Sequence, residues 1–262
     1  MSDTFYADTL RRLIGAGRLH QDMSILVVCG THVDRDVFFN AGFRNVTISN
    51  IQQAPDDAGL APYSTICQDV EALSVEDEAY DWLVVHHGLH HCRTPHHALT
   101  GMYRAARCGI IVFEPCHNAL VRIGRWLKVG QEYEVHAVAA NALAAGGVNN
   151  EAIPNYVYRF TVDELVATIR AYAPEFEITA QVAYHLEIHW QDLHAKQDRR
   201  PLWLARLAYP FLRLLMWIRP SWANTMCVVI PKSKTLHPWL QQDEAGHVVP
   251  NEAWFQEFGR VE

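Results

Sequence analysis

No Cys-x-x-Cys pair occurs among the six cysteines, no run of Lys or Arg exceeds two, and no apolar stretch reaches the roughly 20 residues a membrane-spanning helix needs. The first absence removes the paired-thiol metal and redox motifs. Cys29, Cys67, Cys92, Cys108, Cys116 and Cys227 are scattered through apolar stretches as small core residues, which suits a reducing, cytoplasmic location. The second absence, with a net charge of -7, leaves no electrostatic footprint for a phosphate backbone, so nucleic acid is not an expected partner. The third excludes a span, and even the most apolar segment, Leu202 to Ile218, is interrupted by Arg206, Pro210 and Arg213. The opening residues carry acids and lack the apolar centre of a secretory signal, so they are expected to belong to the mature chain. The G-x-G-x-x-G dinucleotide fingerprint is missing as well.

What remains is a chain of 262 residues, half of them hydrophobic, enough for one elaborated domain with a full core. No internal repeat or clear domain boundary divides it, and residues 1–262 are taken as a single unit. Ser24 to Cys29 is a short apolar run without helical period, as expected of a strand buried on both faces, and it runs straight into Gly30. Asp34 to Asn40 can form two helical turns closed by Gly42, and Asn45 to Ser49 reads as the next strand. Strand, turn, helix and strand in so short a span make a parallel βαβ unit. Tyr63 to Cys67, Asp81 to Val85 and Gly109 to Phe113 continue the series, with Phe176 to Leu186 and Met226 to Ile230 as late strands. Thr94-Pro95 opens one covering helix, and Thr161 to Glu164 has the capping-box spacing for another. The predicted fold is α/β: a Rossmann-like, mostly parallel seven-stranded sheet with helices on both faces. Residues 1–22 are expected as a helical lid, 23–116 as the core, and 117–160 and 187–224 as insertions. The second insertion reads as a helical hairpin, and Ala137 to Gly147 as a mobile loop.

Three pieces carry chemistry. Cys29-Gly-Thr-His-Val-Asp34 is a glycine turn at the carboxyl end of the first strand, where backbone N–H groups can hold a polar ligand. Gln68-Asp69-Val70-Glu71 follows the third strand. Tyr80 to His91 and Gly109 to Pro115 complete the order. Over residues 24 to 116 this series resembles the class I S-adenosylmethionine-dependent methyltransferases, nearest to the quinone C-methyltransferases and small-molecule or sugar O-methyltransferases. The resemblance implies S-adenosylmethionine as cofactor. It places Cys29, Gly30 and Thr31 against the methionine part, Asp34 at the turn, Asp69 on the adenine amino group, Val70 on the ring, and the His86 carbonyl on the amino group. The ribose position, usually acidic, falls on Asn50 with Gln52 nearby; an amide still accepts and donates, but without charge.

His86, His87, His90, His91, His96 and His97 are six imidazoles within twelve residues. Spread over a strand end, a turn and a helix start, they need not converge, and no metal site is expected. An acceptor hydroxyl needs a base, for which His91, His117 and His185 are the candidates, with His189 beside the last. Asn149, Asn155, Tyr156 and Arg159 are side chains suited to a polar acceptor. The expected chemistry is O-methylation of a small polar metabolite or saccharide. Three alternatives stay open: non-methyl sulfonium chemistry such as cyclisation, a quinone or lipid acceptor met through peripheral membrane contact at 202–222, and a Rossmann-like binding module without catalysis. The sequence leaves the oligomeric state undetermined.

Overall fold

The computed structural model describes residues 2–52, 59–127, 131–188, 190 and 200–258. Helix α1 (Ser2–Gly15) is followed by β1 (Ile25–Val28), α2 (His32–Asn40), β2 (Val46–Asn50) and β3 (Ser64–Cys67). Next come β4 (Tyr80–His86), α3 (Pro95–Ala105), β5 (Ala106–Pro115), α4 (Ala119–Trp126), α5 (Val135–Ala140) and α6 (Val162–Tyr172). The chain ends with β6 (Gln181–His185), α7 (Arg200–Ile218), β7 (Thr225–Pro231), a small hairpin of β8 (Leu240–Gln242) and β9 (Val248–Pro250), and α8 (Glu252–Phe258). The main sheet has seven strands in the order β3-β2-β1-β4-β5-β7-β6, and β7 alone runs antiparallel to its neighbours.

Side chains alternate across this sheet as the pleat requires. Leu26, Val28, Leu83, Val85, Ile110 and Val112 face α3 and α6, while Ile25, Val27, Trp82, Val84, Ile111 and Phe113 face α1 and α2. A strand buried on both faces must be apolar throughout, which is why β1 shows no alternation in its sequence. The N-terminal helix, expected as a lid, is part of this core. Tyr6 and Leu10 are fully buried, and the Tyr6 ring lies 4.5 Å from Phe113 and 4.6 Å from His86, so the helix covers the sheet up to its carboxyl edge.

The capping box of α6 forms as its spacing predicts: Thr161 Oγ1 accepts from Glu164 N at 3.1 Å and Glu164 Oε2 accepts from Thr161 N at 3.2 Å. Thr94 does not cap α3. Its N–H and hydroxyl both go to Glu71, whose carboxylate occupies the positive end of that helix instead. Ala137 to Gly147, expected as a loop, contains most of α5. In the late insertion the described part is one 19-residue helix, α7, followed by a tight turn at Pro220–Trp222; the first arm of the expected hairpin lies outside the described residues.

Candidate active site

The carboxyl ends of β1, β2, β3, β4 and β5 all lie on one edge of the sheet, and the chemistry-bearing residues gather there. At the end of β1, Cys29 turns through a left-handed φ of 53°, and at the end of the neighbouring β4, His87 does the same at 54°. Such conformations are costly for non-glycine residues and persist where packing enforces them. The packing is visible at Gly88, where an added Cβ would stand 2.6 Å from the Cβ of Cys29. The two turns are seated against each other. Gly30 is equally constrained, its hypothetical Cβ falling 2.6 Å from Cγ2 of Ile48, so the chain lies flat on β2.

Thr31 then caps α2. Its N–H and hydroxyl bind Asp34 Oδ2 at 2.8 and 3.1 Å, and its own oxygen accepts from Val33 N. Asp34 is buried, which raises its pKa to about 6 against the Thr31 hydrogen bonds that lower it. Its carboxylate faces the buried Tyr6 hydroxyl, whose pKa burial and then the Asp34 charge and hydrogen bond raise. At the end of β2, Asn50 donates to Gly30 O at 3.2 Å and accepts from Ile51 N at 2.8 Å. Gln52 accepts from Asn150, which ties the 146–155 loop across to this edge. Asp69 Oδ1 accepts from the N–H of Glu71 at 2.9 Å and Oδ2 takes part in no hydrogen bond among the described residues, while Val70 beside it is buried.

The imidazoles converge more than their spacing suggests. His86, His87, His90 and His91 form a chain of ring contacts at 4.6, 6.0 and 4.6 Å, whereas His96 turns away to Glu164 and His97 is exposed. Their spacing did not require them to converge, yet four of the six do. The reason is Glu114, fully buried at the end of β5, which binds Leu89 N at 2.7 Å and His90 Nδ1 at 2.6 Å and folds the turn after β4 inward. His90 Nε2 faces Glu134 at 3.5 Å, and His91 Nε2 faces the other oxygen of Glu134 at 3.2 Å. The His91 Nδ1 lies 3.2 Å from Gly147 O.

Burial by itself would discharge His90, but the charge and hydrogen bond of Glu114, then those of Glu134, lift its pKa to about 10. Burial likewise works against ionised Glu134, yet the His90 hydrogen bond and charge, with His91 and Asn155, bring it down to about 2. His91 moves the other way: burial and then the positive His90 lower its pKa, so it is a neutral base at pH 7. Two groups could hold a cation, His87–His90–Glu114 and His90–His91–Glu134, with ligand atoms within 4.8 Å of one another. His90 is common to both groups and stands between the carboxylates of Glu114 and Glu134.

The remaining candidates are dispersed. His185 stacks on Phe5 at 5.0 Å on the α1 face. His117 is exposed, and its ring makes none of the contacts that join His90, His91, Glu114 and Glu134. His189 lies outside the described residues. Asn155 is buried beneath the cluster and donates to His90 O at 3.2 Å. Asn149 sits in a left-handed turn, Tyr156 is exposed and packs on Tyr133, and Arg159 is engaged with the carbonyls of Val157 and Gln131. Sequence reasoning missed Glu114 and Glu134. The first had a signal, a carboxylate ending an otherwise apolar strand; the second, in an insertion, had none.

A profile of the methyltransferase domain matches residues 28–113. Over these residues, about a third of the chain, the core is similar to that domain family. The solved structures agree on its fold. Magnesium protoporphyrin IX methyltransferase from Synechocystis, determined with S-adenosylhomocysteine, superposes with a TM-score of 0.53 at 12% identity, over 88% of this chain and 84% of that one. A putative sarcosine dimethylglycine methyltransferase from Galdieria sulphuraria gives 0.52 at 13%, over 90% and 85%. The YcgJ protein of Bacillus subtilis gives 0.54 at 10%, over 88% and 99%. No curated protein sequence matches the chain.

The residues at this edge are compatible with S-adenosylmethionine. The β1 turn is kept low by Gly30, and Asp69, next to the buried Val70, retains a carboxylate oxygen outside its hydrogen bond to Glu71. Asn50 departs from the pattern. Each of its amide atoms already serves the backbone, so it has one donor and one acceptor direction left for a sugar edge.

Proposed function

We propose that this chain O-methylates a small polar metabolite or saccharide in the cytoplasm, with His91 as the base and Glu134 as its partner. The observation that carries the reading is the His91–Glu134 contact of 3.2 Å on the β4–β5 side of the edge, next to the turns that fit the cofactor. Bound S-adenosylmethionine supplies a methyl group already activated on sulfur. Cys29, Gly30 and Thr31 hold its methionine part, Asn50 and Gln52 the ribose, Asp69 and Val70 the adenine, and the His86 carbonyl its amino group.

Charge supports the acid–base assignment. With Glu134 ionised and His90 protonated against it, neutral His91 stands beside a carboxylate. A proton released by an acceptor hydroxyl passes to the His91–Glu134 pair and is shared across its Nε2–Oε2 contact of 3.2 Å. Asn149 and Tyr156, on the insertion that supplies Gly147, are the groups proposed to orient the acceptor, with Asn155 buried beneath them as a support for the His90 turn.

Calorimetric titration with S-adenosylhomocysteine tests the cofactor half. Micromolar binding by the wild type, weakened in Asp69→Ala by about tenfold or more, is the expected result. Absence of wild-type binding would establish the non-catalytic module instead. For the base, release of S-adenosylhomocysteine is followed with a panel of sugars and hydroxylated metabolites. His91→Asn is expected to lose roughly 10²-fold or more in turnover while retaining cofactor binding. Because burial holds the His91 pKa below its ordinary value, wild-type turnover should rise as pH climbs through that lowered pKa and be flat at neutrality. A flat profile from acid pH onward would remove His91 from the role.

A further inference from the structure

Helix α7 turns its most apolar face outward. Trp203, Leu204, Leu207, Phe211, Leu214, Trp217 and Ile218 are all exposed, Trp217 by 81%, while Leu202 anchors the opposite side at 2% exposure. At 100° per residue these side chains fill an arc of about 140°, and the seam from Trp203 to Ile218 runs for about 22 Å. Arg206 and Arg213 lie along one border of that arc. Helix α4 extends the surface, because both helices pack on the Pro220–Trp222 turn, and it exposes Ile123 and Leu127 together with Trp126 at 81%. Two helices joined through one turn and both exposing large apolar side chains mark an interaction site.

Charge identifies the occupant. Between Asp198 and Asp243 the chain contains no acid, and none lies between Glu114 and Glu132. Residues 117–131 and 199–222 hold eight of the 22 Lys and Arg and none of the 29 Asp and Glu, in a chain of net charge -7. A second copy of the same face would set cations against cations, and a nucleic acid would leave the leucine seam against phosphate. Among the described residues no helix is long and apolar enough to cross a membrane. A helix that is too short and too charged to cross, apolar along one arc and basic at its border, has the character of one that lies in the headgroup plane.

We infer that the α4–α7 face docks the protein onto an anionic lipid bilayer, with Trp126, Trp203 and Trp217 seated at the headgroup level and Arg206, Arg213 and Arg219 toward the lipid phosphates. This rests on the surface alone and is independent of the acceptor assigned above.

The test is co-sedimentation of the full chain, at about 0.15 M salt, with vesicles of phosphatidylcholine alone and of phosphatidylcholine with phosphatidylglycerol. The expected result is capture by the anionic vesicles with a blue shift of tryptophan emission. Arg206→Glu/Arg213→Glu and, separately, Trp203→Ser/Trp217→Ser should each lower capture by about tenfold or more. Thermal melting shows whether each double variant is folded, with Leu207→Ser/Phe211→Ser as the substitute if one is not. Failure of the wild type to bind anionic vesicles, equal binding by folded variants, or light scattering showing a dimer that shields these tryptophans would each overturn the proposal.

Discussion

At the scale of single residues, the most consequential arrangement is His90 held between two carboxylates. Its folded pKa of about 10 stands above the ordinary histidine value of 6.5, so the stabilisation it brings is fully present below 6.5 and is lost as pH rises towards 10. Thermal melting across that range should show the loss, and Glu114→Gln should flatten it. The same substitution leaves a buried imidazolium short of its nearer counter-charge and is expected to cost about 3–5 kcal/mol, measured by denaturant unfolding. Glu114 was half legible: a carboxylate ends the apolar run Gly109 to Phe113, but its partner is 24 residues away in a turn whose direction the sequence does not give. His91 was legible as a candidate only because it stands in a dense group of imidazoles. Nothing distinguished it from His117 or His185 until Glu134, contributed by an insertion without a motif, closed on it.

At the scale of elements, the strands of the core could be read because each is apolar on both faces and ends in a glycine turn or a polar loop. The read boundaries of β4 and β5 stopped short of Tyr80, His86, Ala106 and Pro115, where polar or small residues continue the ladder. Helices α4 and α5 were not read as helices, since α4 leaves its large apolar side chains exposed and α5 is six residues long. Contact between turns is the other property no local pattern reveals. Gly88→Ala would drive a methyl group into Cys29 and separate the turns after β1 and β4. The expected outcome is a loss of about 1–3 kcal/mol in unfolding free energy, together with weaker S-adenosylhomocysteine binding in calorimetry. Unchanged values for both would mean that the two turns move independently.

For the molecule as a whole, one sheet with the order β3-β2-β1-β4-β5-β7-β6 organises everything else. The turns after β1, β2 and β3 occupy one half of its carboxyl edge, the histidine–carboxylate cluster the other half, and the 117–160 insertion closes over the second. That an insertion stands on this half was foreseeable from chain order, because it follows β5. The buried position of α1 was not. Its sequence is polar enough to read as a cover, yet Tyr6 and Leu10 are fully buried against the sheet.

The segregation of charge gives the molecule two electrostatic ranges. Over its whole sequence it is an anion of net charge -7, while the α4 and α7 segments carry basic residues and no acid, Arg125 among them being paired with Glu132. At about 0.01 M salt, where fields reach roughly 30 Å, a negative surface meets the whole molecule; at physiological salt, where they reach about 8 Å, it meets only the nearest face. Capture by anionic vesicles should therefore not decline steadily with ionic strength, as it does for a uniformly basic protein. It should pass through a maximum, rising as the distant acids are screened and falling once the arginines are screened too.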